Sequence, residues 1–184
     1  MKRILMVCTG NTCRSPMAEA LLRHLAKEQG LDVEVRSAGV DALTGSPMSE
    51  LAAETLRSRG VEPGDFRASA LGAELVEWAD LILTMTTRHK RYLLEQFPEA
   101  VEKTHTLKEF AVTDPETAAL IRERESLAAE LALRLALGQT VTEEEREKLR
   151  ALEQRLPDVD VDDPIGGGRG RYEAAANEIE SAVR

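Results

Sequence analysis

The sequence predicts an α/β fold built on one four-stranded parallel sheet flanked by helices. Short apolar runs alternate with amphipathic helical stretches, the pattern of successive βαβ units. Glycines stand where helical periodicity stops, at Gly30 and Gly60. The first apolar run, Ile4-Leu5-Met6-Val7, passes directly into Cys8-Thr9-Gly10-Asn11-Thr12-Cys13-Arg14-Ser15 and then Pro16, which suits a first helical turn. A loop at the carboxyl end of a strand is where open α/β sheets bind their ligands.

The elements follow in order. Strands are expected at Ile4–Val7, at 33–35, at 81–85 and near 103–106. Helices are expected over 16–29, where Met17, Leu21, Leu22 and Leu25 share a face, and over 48–59, 71–78, 87–97 and 171–183. A helical insertion of about 114–157 breaks this rhythm. Asp114-Pro115 reads as an N-cap with proline at the first helical position, and Gly138 as the stop. Thr142-Glu143-Glu144-Glu145 reads as a capping box opening a second helix, with Leu149, Leu152 and Leu156 on one face. The object is a helical hairpin: a solvated decoration, or a lid or docking arm, since it leads into the acidic segment that follows. The whole chain, 1–184, reads as one domain carrying this insertion.

Bulk properties narrow the function. A net charge of −9 argues against nucleic-acid binding, which needs a basic face. Two cysteines make no disulfide framework, no apolar run reaches membrane-spanning length, and Met1-Lys2-Arg3 does not open a signal peptide. A cytoplasmic protein without membrane attachment is expected. His24, His89 and His105 are scattered without ligand spacing, so neither a metal nor another cofactor is expected, and each reads as an ordinary surface or partly buried histidine.

The Cys8 loop carries the chemistry. Consecutive backbone N–H groups can form an anion nest, and the helix behind it points its positive end at the same spot. Arg14 can fork two hydrogen bonds onto phosphoryl oxygens. That positive potential favours a thiolate at Cys8, poised as a nucleophile toward phosphorus. Cys8 could instead be an inert buried thiol, but Gly10, Asn11 and Arg14 would then have no purpose.

The stretch from Val7 to Glu19 closely resembles the phosphate-binding loop of the low-molecular-weight protein tyrosine phosphatases. The resemblance continues in Arg36-Ser37-Ala38-Gly39, Ala79-Asp80-Leu81-Ile82-Leu83-Thr84-Met85-Thr86, Thr106-Leu107-Lys108-Glu109-Phe110 and Asp163-Pro164-Ile165-Gly166-Gly167. It implies that family's fold, phosphorylated protein substrates, and Thr9, Gly10, Asn11, Thr12, Cys13, Arg14 and Ser15 around the phosphoryl group. It also implies a phosphocysteine on Cys8, with Ser15 bonded to the thiolate and Asn11 bracing the turn. The family runs almost directly from Phe110 to its acid loop, so the insertion is a departure.

A leaving group must be protonated as its bond to phosphorus breaks. Helix capping accounts for Asp114-Pro115. Asp163-Pro164 stands in a glycine-rich loop beside Asp158, Asp160 and Asp162, where neighbouring carboxylates and a bound phosphate favour a protonated form. By family position Asp163 is the general acid, with Asp162 as competitor and a plain solvated acidic loop as the alternative.

Thr12 bears on the substrate. In the family it resembles, tyrosine-specific members usually carry Ile or Leu there, and members acting on phosphoarginine look like this chain, with Thr. A hydroxyl can engage a guanidinium, and the branched methyl narrows the space for a phenyl ring. Ile165 stands where an aromatic wall is expected, and aromatics are only 3% of the chain. The expectation is a protein arginine phosphatase, with the tyrosine phosphatase as second reading. Thr12 could also be a neutral loop residue bonding the backbone. Cys13 is either a thiol that traps oxidised Cys8 as a disulfide, as the resemblance implies, or a space filler. An arsenate reductase would need a further relay cysteine, and a phosphocarrier would need no acid.

Overall fold

The computed structural model describes residues 1–183. The chain forms two compact units, one of Met1–Ala111 together with the segment from Val159 onward, the other of Val112–Asp158.

The first unit is built on strands β1 (Lys2–Cys8), β2 (Val33–Gly39), β3 (Leu81–Thr84) and β4 (Thr104–Thr106), parallel and ordered β2-β1-β3-β4. Its helices are α1 (Arg14–Gln29), α2 (Glu50–Ser58), α3 (Ala73–Trp78), α4 (Thr87–Gln96), α5 (Leu107–Phe110) and, at the end of the chain, α8 (Arg169–Val183), with a 3-10 turn at Pro98–Lys103. Alternation along β1 separates two cores. Ile4, Met6 and Cys8 face one side and pack with Met17, Leu21, Leu56, Tyr172 and Ile179, contributed by α1, α2 and α8. Leu5 and Val7 face the other side and pack with Val76, Ile82, Leu93 and Ala100. A strand covered on both faces reads as a continuous apolar run, which is why 4–7 carry no polar residue.

The predicted class and strand number hold. Several boundaries shift, and the shifts matter. Helix α1 begins at Arg14 rather than Pro16, so Arg14 is its first helical residue. Strand β2 runs on to Gly39, in register with Cys8. Helix α5 was not foreseen. Its four residues are held by a true capping box, Thr106 with Glu109.

The second unit holds α6 (Pro115–Ala136) and α7 (Glu143–Arg155). Asp114 caps α6, accepting the Thr117 N–H at 2.9 Å and hydroxyl at 2.6 Å, bonds that hold its carboxyl below the usual range. Gly138 follows the last turn with a left-handed φ of 74°, as its position suggested. Thr142 caps α7, but the capping box is only half formed. Glu145 turns its carboxylate to the Thr142 hydroxyl and to Arg134 instead of the Thr142 backbone.

Candidate active site

The loop from Cys8 to Ser15 joins β1 to α1, and everything around it fixes its shape. Val40 N–H donates to Cys8 O and Asp41 N–H to Thr9 O, both at 2.9 Å, so the strand after Gly39 wraps the loop. Gly39 allows that approach. A Cβ there would lie 2.5 Å from Thr9 O and 2.9 Å from Asn11 N, both backbone atoms. Gly39→Ala is therefore expected to displace the loop, costing about 1–3 kcal/mol of stability by overpacking. Phosphatase activity should fall at least about 100-fold, since roughly 1 Å of misplacement costs that much. Urea unfolding and steady-state kinetics check both.

Asn11 sits at φ 54°, the one left-handed non-glycine among the described residues. Its side chain holds it there. Ser69 N–H must donate, so the Asn11 atom it meets at 2.8 Å is the carbonyl oxygen. Asn11 Nδ2 then donates to Ser15 Oγ at 2.8 Å and to Ser37 Oγ at 2.9 Å. Each serine keeps its own proton for a further partner. Ser37 gives it to Glu19 Oε2 at 3.2 Å, and Ser15 to Cys8 Sγ at 2.8 Å. Two buried residues thus aim a hydroxyl proton at the sulfur. Glu19 lies at the far end, its carboxyl pushed up by burial and partly drawn back by Arg23 and Ser37.

Arg14 is buried, 4% exposed, and its fork is spoken for. Nη1 donates to Val161 O at 2.9 Å, Nη2 reaches Thr9 Oγ1 at 3.4 Å, and Nη2 lies 3.5 Å from Asp163 Oδ2. The acidic segment is anchored at the same place. Val161 N–H donates to Met85 O at 2.8 Å, and Asp160 Oδ1 accepts the Thr87 N–H at 2.7 Å and the Thr87 hydroxyl at 3.1 Å. Of the expected acid candidates, the structure brings Asp163 to Arg14. Its side chain is 43% exposed, and Oδ1 accepts Ile165 N–H.

Cys13 Sγ turns away from the loop interior to Tyr172 OH at 3.4 Å, and Ser49 Oγ donates to the same hydroxyl. Both cysteines are free and buried. Thr12 is half-buried, with its hydroxyl 3.7 Å from Cys13 Sγ, and Ile165 is exposed. A cleft of about 570 Å³ elsewhere in this unit, lined by residues such as Arg23, Lys27, Glu62 and Arg67, includes none of Cys8–Arg14.

Sequence reasoning missed Ser37, Ser69, Val161, Tyr172 and His89. His89, taken for an ordinary histidine, is 4% exposed, and its Nε2 lies 2.8 Å from Thr9 Oγ1. Burial, and then Arg14, pull its ionisation down to about 4, against the opposing carboxylates of Asp160 and Asp163, with Arg88 adding to the depression. Among the described residues no group of three His, Cys, Asp or Glu could hold a metal ion, and no helix is long and apolar enough to cross a membrane.

A strand–loop–helix cradle holding a thiol beneath a buried arginine is the architecture of a phosphoryl-transfer enzyme that works through cysteine. Residues 3–123 match the low molecular weight phosphotyrosine protein phosphatase family, and the chain belongs to it: it is a hydrolase acting on phosphoryl groups. It is 52% identical over 108 residues to a protein-arginine-phosphatase of Geobacillus stearothermophilus, a match spanning 59% of this chain and 70% of that protein. The solved structure of the YwlE arginine phosphatase from Geobacillus stearothermophilus superposes with a TM-score of 0.71 at 37% identity, covering 100% of this chain and 88% of the other. A YwlE arginine phosphatase variant, its active-site cysteine replaced by a phosphorylated serine, matches at TM-score 0.72 and 32% identity over 99% of this chain and 91% of that one.

Proposed function

We propose that this protein removes phosphoryl groups from arginine side chains of proteins, through a phosphocysteine on Cys8. The observation that carries this reading is the rim of the loop. Thr12 is half-buried in the loop and Ile165 is exposed beside the acid, and both are proposed to meet the substrate, while three of the aromatics have partners of their own. Trp78 lies under Arg36, Phe110 against His105, and Tyr172 beneath Cys13. The similarity to arginine phosphatases supports the same choice, and the relative trapped with phosphate on its substituted serine supports the covalent route.

In the proposed reaction the loop amides and Arg14 take the equatorial phosphoryl oxygens. The incoming phosphoryl group replaces Asp163 at Nη2, which frees the Asp163 carboxyl to serve the leaving group as the proposed acid. The Cys8 thiolate attacks phosphorus in line, the P–N bond breaks, and the departing guanidine nitrogen receives the Asp163 proton. The same carboxylate then takes a proton from water. Water attacks phosphorus, the S–P bond breaks, inorganic phosphate leaves, and the thiolate returns under the Ser15 hydroxyl. Each bond is formed and broken by protein groups and water.

Thr12→Ile tests the substrate. The wild type is expected to prefer phosphoarginine peptides over phosphotyrosine peptides, and the variant to shift the ratio of kcat/KM toward tyrosine by about tenfold or more, the scale of one altered pocket contact. An unchanged ratio would remove Thr12 from the argument. Cys13 is proposed as the thiol that captures oxidised Cys8, with a space-filling role as the alternative, and residues of about 114–157 are proposed as an insertion within a single phosphatase domain.

A further inference from the structure

His89 is held in one orientation from both ends. Its own N–H donates to the Thr86 cap of α4 at 3.1 Å, and its ring is buried against the first residue of the phosphate loop after Cys8. Arg14 Nη2 can only donate, so at 3.4 Å Thr9 Oγ1 accepts from it. With its hydroxyl proton directed to His89 Nε2 at 2.8 Å, Thr9 Oγ1 keeps a lone pair for Arg14. That requires the neutral ring with its hydrogen on Nδ1.

Nδ1 is buried and has no hydrogen-bond partner among the described residues. A buried polar atom left unsatisfied is rare and asks for a reason other than stability. An apolar ring or a leucine would fill the space without that penalty. We infer that His89 is a positioning residue: by drawing the Thr9 hydroxyl proton to Nε2, it turns a lone pair of Thr9 Oγ1 onto Arg14 and fixes the plane of the guanidinium fork. The burial-lowered ionisation of the ring keeps Nε2 free to accept. His89 acts through Thr9, and the effect belongs to the transition state. The loop amides still hold a ground-state phosphoryl group, whereas a fork that swings away no longer meets oxygens spreading into the equatorial plane.

The inference rests on the proposed role of Arg14, so the experiment separates the two. Arg14→Lys, His89→Leu, His89→Gln and Thr9→Val are compared with wild type on para-nitrophenyl phosphate, with kcat, KM and the thermal midpoint measured for each. His89→Leu is expected to lose about tenfold or more in kcat, the consequence of a misaimed donor. Its KM should move less than about threefold and its thermal midpoint should hold or rise, since an unsatisfied donor has been removed. His89→Gln places an amide oxygen near the Nε2 position and should recover most of the loss. Thr9→Val should match His89→Leu, and the double variant should be no worse than either, because both break one chain of bonds. A wild-type kcat in His89→Leu, additive losses in the double variant, or equal losses in Leu and Gln tracking a fall in thermal midpoint would each overturn the inference while leaving the Arg14 reading in place. Full turnover in Arg14→Lys would overturn that reading and the inference with it.

Discussion

Replacing Cys8 with serine is expected to abolish turnover, a loss on the order of 10⁴-fold or more, as for other nucleophiles that act as part of a unit. The fold should survive. Cys8 is at the end of β1, and the shorter oxygen can still accept the Ser15 proton that now meets the sulfur. Arg14 keeps its bonds to Val161 and Thr9, and the backbone amides are unchanged, so inorganic phosphate should bind within a few-fold of wild type. Calorimetric titration with phosphate and a chromogenic ester assay measure the two quantities. Residual activity above roughly one per cent would point to a different nucleophile, since loss of the attacking group costs far more than that. Cys13 is poorly placed to take over, because its sulfur is engaged with Tyr172.

Asp163→Asn is the second large expected effect. The amide can still accept the Ile165 N–H, so the loop should hold its shape, but it can no longer give a proton. Loss of about 10²–10³ in kcat is expected on phosphoarginine peptides, the scale of general acid catalysis. On an aryl ester with a good leaving group the loss should be much smaller. Asp162→Asn decides the assignment between neighbours. It should stay within about twofold of wild type, as substitutions away from the reacting groups do. A loss in Asp162→Asn as large as in Asp163→Asn would move the acid by one residue.

The fold and the chemistry-bearing loop were legible in sequence for local reasons. A strand covered on both faces, a glycine-containing loop and a helix start lie within fifteen residues, and each leaves its mark on composition. The Asp114 cap was legible in the same way, because its partner Thr117 is three residues on. The bracing of the loop was not. Asn11 is held from Ser37 and Ser69, Arg14 from Val161, Thr9 from His89 and Cys13 from Tyr172, contacts that span between 26 and 159 residues of sequence. No periodicity announces such partners. Even the resemblance in Arg36–Gly39 marked a place without saying that its serine holds an amide and its glycine clears a backbone. The half-formed capping box at Thr142 shows the converse. A local pattern was present, and Glu145 turned to Arg134, which the pattern could not anticipate.

The unit that holds the site is discontinuous, interrupted after Ala111 and resumed at Val159. The cysteine loop lies before the interruption, whereas the carbonyl that seats its arginine, the acid beside it and the helix that completes one face of the core lie after it. Arg14 is therefore seated, and Asp163 brought beside it, only once the segment that resumes at Val159 has packed back onto the first part of the same unit.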